Sequence, residues 1–177
     1  MNQFSLTALT GILLSATLVI AAPPPELKAK VEKRIAELQV LCTDATIVSE
    51  TKAYNAAPPS GMTNDKWKAL TVISPEVKAL TKSTLGVYLK GKKAVDIAEM
   101  FVNGADGGKV ALISKTTSWT HKGKPKHDLP MAGKTWIGDV EMDESSGKQS
   151  IQFSIPVLDG GKAIGSIVIG LAVAELK

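Results

Sequence analysis

From Ser150 to Val157 apolar and polar positions alternate without a break. Ile151, Phe153, Ile155 and Val157 fall on one side, and Ser150, Gln152, Ser154 and Pro156 on the other. A period of two predicts a half-buried strand with one face in a core. The next segment repeats it: Ile167, Ile169, Leu171 and Val173 share a face, while Gly170 and Ala172 with Val168 leave the opposite face open to close approach. Ser145-Ser146-Gly147 before the first segment and Asp159-Gly160-Gly161 after it supply the turn residues that tight hairpins need. With the run from Trp136, these patterns predict a C-terminal antiparallel meander. Two more strands are read upstream, on either side of a turn from Asn103 to Gly108. The five predicted strands are 97–102, 109–114, 135–141, 149–157 and 163–173.

The first half of the chain has a different period. After Pro23-Pro24-Pro25, a stiff spacer that can open a helix, Leu27, Val31, Ile35, Leu38 and Leu41 recur at intervals of three and four. This predicts one long N-terminal helix running through Ile47 and Val48 towards Tyr54, with Pro58-Pro59-Ser60-Gly61 as its break. Thr63 or Asn64 is placed to cap a short helix containing Trp67 and Leu70. Ser74-Pro75-Glu76 is a strong helix start, and the helix it opens is predicted to end at Gly91. Helices followed by strands is the α+β order.

Composition narrows the picture. The 177 residues carry a net charge of +4, with one arginine, Arg34, among many lysines and only 5% aromatic residues. Nucleic-acid binding calls for clustered basic and aromatic side chains, which the chain lacks. Cys42 is the one cysteine. It excludes an intrachain disulfide and any cysteine-based metal or haem attachment, and its helical context suits a small buried apolar residue. Leu6 to Ala22 is an uncharged apolar run ending in small residues, as in a secretory signal peptide cleaved after Ala21 or Ala22. Its flank Met1-Asn2-Gln3-Phe4 has no lysine or arginine, so an uncleaved membrane anchor is the competing reading. No further stretch is long and apolar enough to span a membrane.

The runs IGDVEMDES and QFSIPVLDGGKAIGSIVIGLAV resemble the end of a periplasmic single-Cache (PAS-like) sensor domain. The similarity extends upstream to FVNGADGGKVALISKTTSW and, more loosely, to the segments around MTNDKW and SPEVKALTKS. The resemblance implies a PAS-like/Cache fold, with a long N-terminal helix and a five-stranded antiparallel sheet in the order 2-1-5-4-3. With residues 1–22 read from the apolar run as a signal peptide or uncleaved anchor, it implies 23–177 as a single Cache domain, helical over 25–92 and sheet over 97–174. It also implies a sensor that binds a small molecule without catalysis, in the periplasm. The Asp143-Glu144-Ser145 segment belongs to the framework in that family.

The candidate chemistry lies in the connection between the second and third strands, Thr116 to Lys134. Loops of that length in a compact domain are usually functional or mobile. Relatives carry acidic and aromatic residues here; this chain keeps Thr117-Ser118 and Gly123 but places Trp119, His121, Lys124 and Pro125 at the variable positions. The family's contacts therefore do not transfer. A basic loop is either simply solvated or forms a cationic rim that favours an organic anion such as a carboxylate. The expected contacts, between the concave sheet face and this loop, are Trp119, His121, Lys122, Trp136 and Asp139.

Asp139, Glu141 and Asp143 alternate and are expected to project to one face of the third strand, where they could act as a turn framework, ligand contacts or calcium ligands. His121, His127 and Asp128 make a weak zinc set, and the chain lacks GxSxG, HExxH, GxxxxGKS and helix-opening GxGxxG patterns. No cofactor and no resident metal are expected, and a small metal-dependent hydrolase is the remote alternative. The expected partners are a small-molecule ligand, a membrane receptor and a second copy of the chain through the N-terminal helix. The anchored alternative is a dimeric sensor component held in the membrane.

Overall fold

The computed structural model describes residues 24–143 and 148–177. The expected signal peptide and the turn expected at Ser145-Ser146-Gly147 lie outside them.

Helix α1 (Pro25–Leu38) starts on a proline, whose missing N–H costs nothing there, and buries Val31, Ile35 and Leu38. It does not continue to Tyr54. A 3-10 stretch (Gln39–Thr43) follows, and Asp44 then turns extended and caps a separate helix α2 (Ala45–Ala56). Its carboxylate accepts hydrogen bonds from Thr46 N at 3.0 Å and Ile47 N at 3.2 Å. A side chain able to satisfy orphan N–H groups starts a new helix in preference to extending the old one. The expected single long helix is thus two.

The same correction applies downstream. Thr63 caps α3 (Asn64–Ala69), with Oγ1 accepting from Lys66 N at 3.2 Å. The segment from Ser74 to Gly91 forms two helices, α4 (Pro75–Thr81) and α5 (Thr84–Gly91), because the Ser83 hydroxyl caps the second by accepting from Gly86 N at 3.0 Å.

The strands are β1 (Ile97–Gly104), β2 (Lys109–Leu112), β3 (Trp136–Asp143), β4 (Lys148–Asp159) and β5 (Lys162–Ala172). They form one antiparallel sheet in the order β2-β1-β5-β4-β3, the order the resemblance implied. The β4–β5 hairpin closes with Asp159 opposite Lys162. Gly160 (φ 57°) and Gly161 (φ 82°) occupy the left-handed positions of its turn. Within the expected 116–134 loop, Pro125–Met131 is a helix of seven residues, α6.

The sheet is covered on both faces. Met100, Val102, Phe153, Ile155, Ile167 and Ile169 meet α1, α2 and α5 in the larger core. On the other face Phe101, Leu112 and Val168 meet Trp67 of α3, Val77 of α4 and Trp119 in a smaller one. The polar side of β4 is therefore not simply solvated: Ser154 and Pro156 are buried along with their apolar neighbours. Arg34 ties α1 to the sheet through a paired contact with Asp96, Nε to Oδ2 at 2.6 Å and Nη2 to Oδ1 at 3.2 Å. Cys42 is buried, as its helical context implied.

Candidate functional site

The second face of the sheet carries two polar regions, one sealed and one open. The connection from β2 to α6 is laid against the β1–β2 turn. Thr120 bridges to Gly108, and His121 N donates to Gly107 O at 3.0 Å. This seats His121 beside Lys109, which is fully buried. Lys109 Nζ donates to Asn103 Oδ1 at 2.8 Å and lies 3.1 Å from His121 Nδ1, which accepts when the imidazole proton is on Nε2. Asn103 Nδ2 donates to Ser166 Oγ at 2.9 Å. Ser166 in turn stands 2.9 Å from His127 Nδ1, while His127 Nε2 faces Ala105 O at 3.4 Å. One direction of donation satisfies the whole run, from Lys109 through Asn103 and Ser166 to His127 and the Ala105 carbonyl.

Burial sets the charges in this network. It pulls Lys109 down to about 7, against the opposing pull of Glu99 and with that of Lys126. It pulls His121 down to about 2, aided by Lys109 and Lys126, and it lowers His127 against the Ala105 carbonyl. Both imidazoles are neutral at pH 7. The Ser154 hydroxyl, also fully buried, has no hydrogen-bond partner among the described residues.

The open region is a groove of about 700 Å³ beside this network. Its floor follows from strand register. Glu99 of β1 is opposite Gly170 of β5, and Gly170 is opposite Gln152 of β4. The bare glycine lets the two outer side chains meet across the middle strand, and Gln152 Nε2 donates to Glu99 Oε2 at 2.7 Å. A Cβ on Gly170 would stand 3.2 Å from the Glu99 Cβ. Above this row, α6 lowers Lys126, whose ammonium donates to Gln152 Oε1 at 2.5 Å and lies 5.7 Å from the centre of the Trp136 ring. Glu141 of β3 and Lys115 after β2 complete the charged lining, with Ser150, Thr117 and Met142 between them. Both signs of charge are present, and neither histidine nor Cys42 lines the groove.

The five expected contacts are dispersed. Trp119 is buried, with its ring 5.4 Å from that of Trp67, and its backbone N–H donates to Asn64 Oδ1 at 2.8 Å. His121 belongs to the sealed network. Lys122 is exposed on the connection and Asp139 is exposed on β3. Trp136 is half-buried and borders the groove only through Lys126. A register shift between Ile137 and Val140 interrupts β3, and Glu141 lines the groove while Asp139 does not. The sequence reading passed over Glu99, Gln152 and Lys115. A glutamate within the apolar run IAEMFV, facing a glycine in the last strand, was the available signal for the first.

Among the described residues no group of three or more His, Cys, Asp or Glu side chains is arranged to hold a metal ion. Nor is any helix among them long and apolar enough to cross a membrane.

No protein-family model matches the chain, and no curated protein matches it. Solved structures do. The ligand-binding domain of the Pseudomonas aeruginosa PAO1 amino acid chemoreceptor PctC, in complex with GABA, is 11% identical over 85% of this chain and 57% of that one, with a TM-score of 0.46. The sensory domain of the Campylobacter jejuni chemoreceptor Tlp3 is 13% identical over 85% and 65%, with a TM-score of 0.43. The sensor domain of the V. cholerae histidine kinase DctB is 15% identical over 84% and 58%, with a TM-score of 0.41. This chain spans less than two thirds of the length of each.

Proposed function

We propose that the chain is an exported sensor domain that holds a small polar organic molecule in the groove between the sheet and α6, without altering it. The observation that carries this reading is the groove itself. It is a concavity of about 700 Å³ on one side of an otherwise covered sheet, and its charged floor is set by strand register. Cavities of that size with a few convergent polar groups are the usual form of small-molecule sites. The organic anion expected from the sequence is met in part: Lys115 offers a cation to a carboxylate at the rim. Glu99 and Glu141 add an opposite demand, so a ligand carrying both signs fits the lining better than an anion alone. Lys115, Glu99, Gln152 and Glu141 are the proposed contacts, with Lys126 of α6 over them.

Export rests on residues 1–22, read as a cleaved signal peptide, and places the domain in the periplasm. A membrane receptor and a second copy bound through α1 are the proposed partners. N-terminal sequencing of the exported protein separates a cleaved chain, starting near Pro23, from an anchored one that keeps Met1.

The reading is tested by a thermal-shift screen of the purified domain against carboxylates, amino acids and amines. A ligand at a hundredfold its dissociation constant adds about 2.7 kcal/mol, a rise on the order of 5–10 °C for a domain of this size. A compound that produces it supports the proposal; a complete screen with no shift contradicts it.

A further inference from the structure

Lys126 differs from the other charged groups of the groove because it does not come from the sheet or its margins. It descends from α6 and places an ammonium among groups supplied by three strands. These are Gln152 Oε1 of β4 at 2.5 Å, the Trp136 ring of β3 at 5.7 Å, and the carboxylates of Glu99 on β1 and Glu141 on β3, which act on its charge. An acceptor oxygen, a ring face and two negative charges are what any ammonium would find favourable. Burial still outweighs the two carboxylates and holds Lys126 below the ordinary lysine value. On leaving, Lys126 regains hydration, which offsets part of what an incoming ammonium loses on entering. Open volume adjoins it, enough for the rest of a small ligand.

We infer that the Lys126 ammonium is a built-in occupant of an ammonium subsite, and that the groove's ligand is a small primary amine whose own ammonium takes that place. The inference rests on the groove being a ligand site and adds the chemical class of what enters it. Displacing Lys126 breaks a tie between α6 and β4 and leaves the hydrogen bonds of His127 to Ser166 and the Ala105 carbonyl in place. Occupancy of the groove is thereby registered at α6.

The test removes the occupant and supplies a replacement. Lys126→Ala is titrated with n-butylamine, which has the length of a whole lysine side chain, and with n-butanol as the uncharged control. A tethered ammonium competes at millimolar effective concentration, so the variant binds n-butylamine at least about tenfold more tightly than the wild type does. Binding quenches or shifts Trp136 emission, n-butanol has no such effect, and adding Glu99→Gln to Lys126→Ala weakens amine binding at least about tenfold, a loss of about 1.4 kcal/mol. Should Lys126→Ala not fold alone, folding in the presence of n-butylamine but not n-butanol, read by circular dichroism, gives the same answer. Equal affinities of wild type and variant, equal effects of amine and alcohol, or indifference to Glu99→Gln overturn the inference. An anion that binds the wild type where no amine binds either protein leaves the sensor reading standing and overturns this one. Amine binding confined to Lys126→Ala, with no compound binding the wild type, supports the subsite and removes the sensor reading.

Discussion

Lys109, His121 and His127 place three basic side chains in one buried network, which makes the domain sensitive to acid in a calculable way. Both histidines have lowered values in the folded state, so above the ordinary value of 6.5 they are neutral folded or unfolded and contribute nothing to pH dependence. Below it the unfolded chain takes up protons that the native one refuses, and stability falls by up to about 1.4 kcal/mol per pH unit for each histidine. Lys109, held at about 7 against an ordinary 10.5, extends the same sign upward, so stability climbs from pH 7 towards pH 9.5. Urea denaturation between pH 5 and 9.5 is expected to show rising stability throughout, and His127→Asn to flatten the acid limb. A level profile contradicts the burial of these groups. Glu99, Asp106 and Asp128 face the network from β1, the β1–β2 turn and α6, and oppose the trend without reversing it. None of this was legible in the sequence, where His121 and His127 read as loop residues. A lysine in a short strand gives no sign that its neighbours will enclose it.

At the scale of elements, alternation along β4 and β5 together with the turn residues between strands was enough to place the five strands. Helix ends were harder. Val31, Ile35 and Leu38 lie on one helical face, and the apolar spacing continues past them, so periodicity alone joins α1 to α2. The break is made by a single side chain, Asp44, which caps α2 and also accepts a hydrogen bond from the Tyr88 hydroxyl of α5. Asp44→Ala is expected to cost about 2 kcal/mol, at the upper end for a cap because it also strands the tyrosine. Thermal denaturation of the variant measures it, and a cost near zero contradicts the cap. The α6 helix was hidden for a related reason. Pro130 inside it reads as a breaker, yet a helix of seven residues beginning at Pro125 has so few internal hydrogen bonds that a proline in its last turn removes little. Its side-chain hydrogen bonds to the sheet are those of Lys126 with Gln152 and of His127 with Ser166, and Pro130 is buried beside them.

At the scale of the whole molecule, the sheet is closed on one face by α1, α2 and α5 and partly closed on the other by α3, α4 and α6. The groove opens on the partly closed face. Its floor could not be found from one strand at a time, since Glu99, Gly170 and Gln152 are far apart in sequence and become a row only when three strands are in register. Gly170 is the position on which that row depends. Gly170→Val puts two methyl groups where Gln152 and Glu99 meet, in a place where even a Cβ stands 3.2 Å from the Glu99 Cβ. Valine suits a strand, so the fold is expected to persist. The most direct measurement is therefore the thermal shift produced by the strongest screening compound on wild type and on Gly170→Val, side by side. The groove as ligand site predicts a shift of several degrees for the wild type and none for the folded variant. Equal shifts in the two proteins would place the ligand elsewhere and contradict the account.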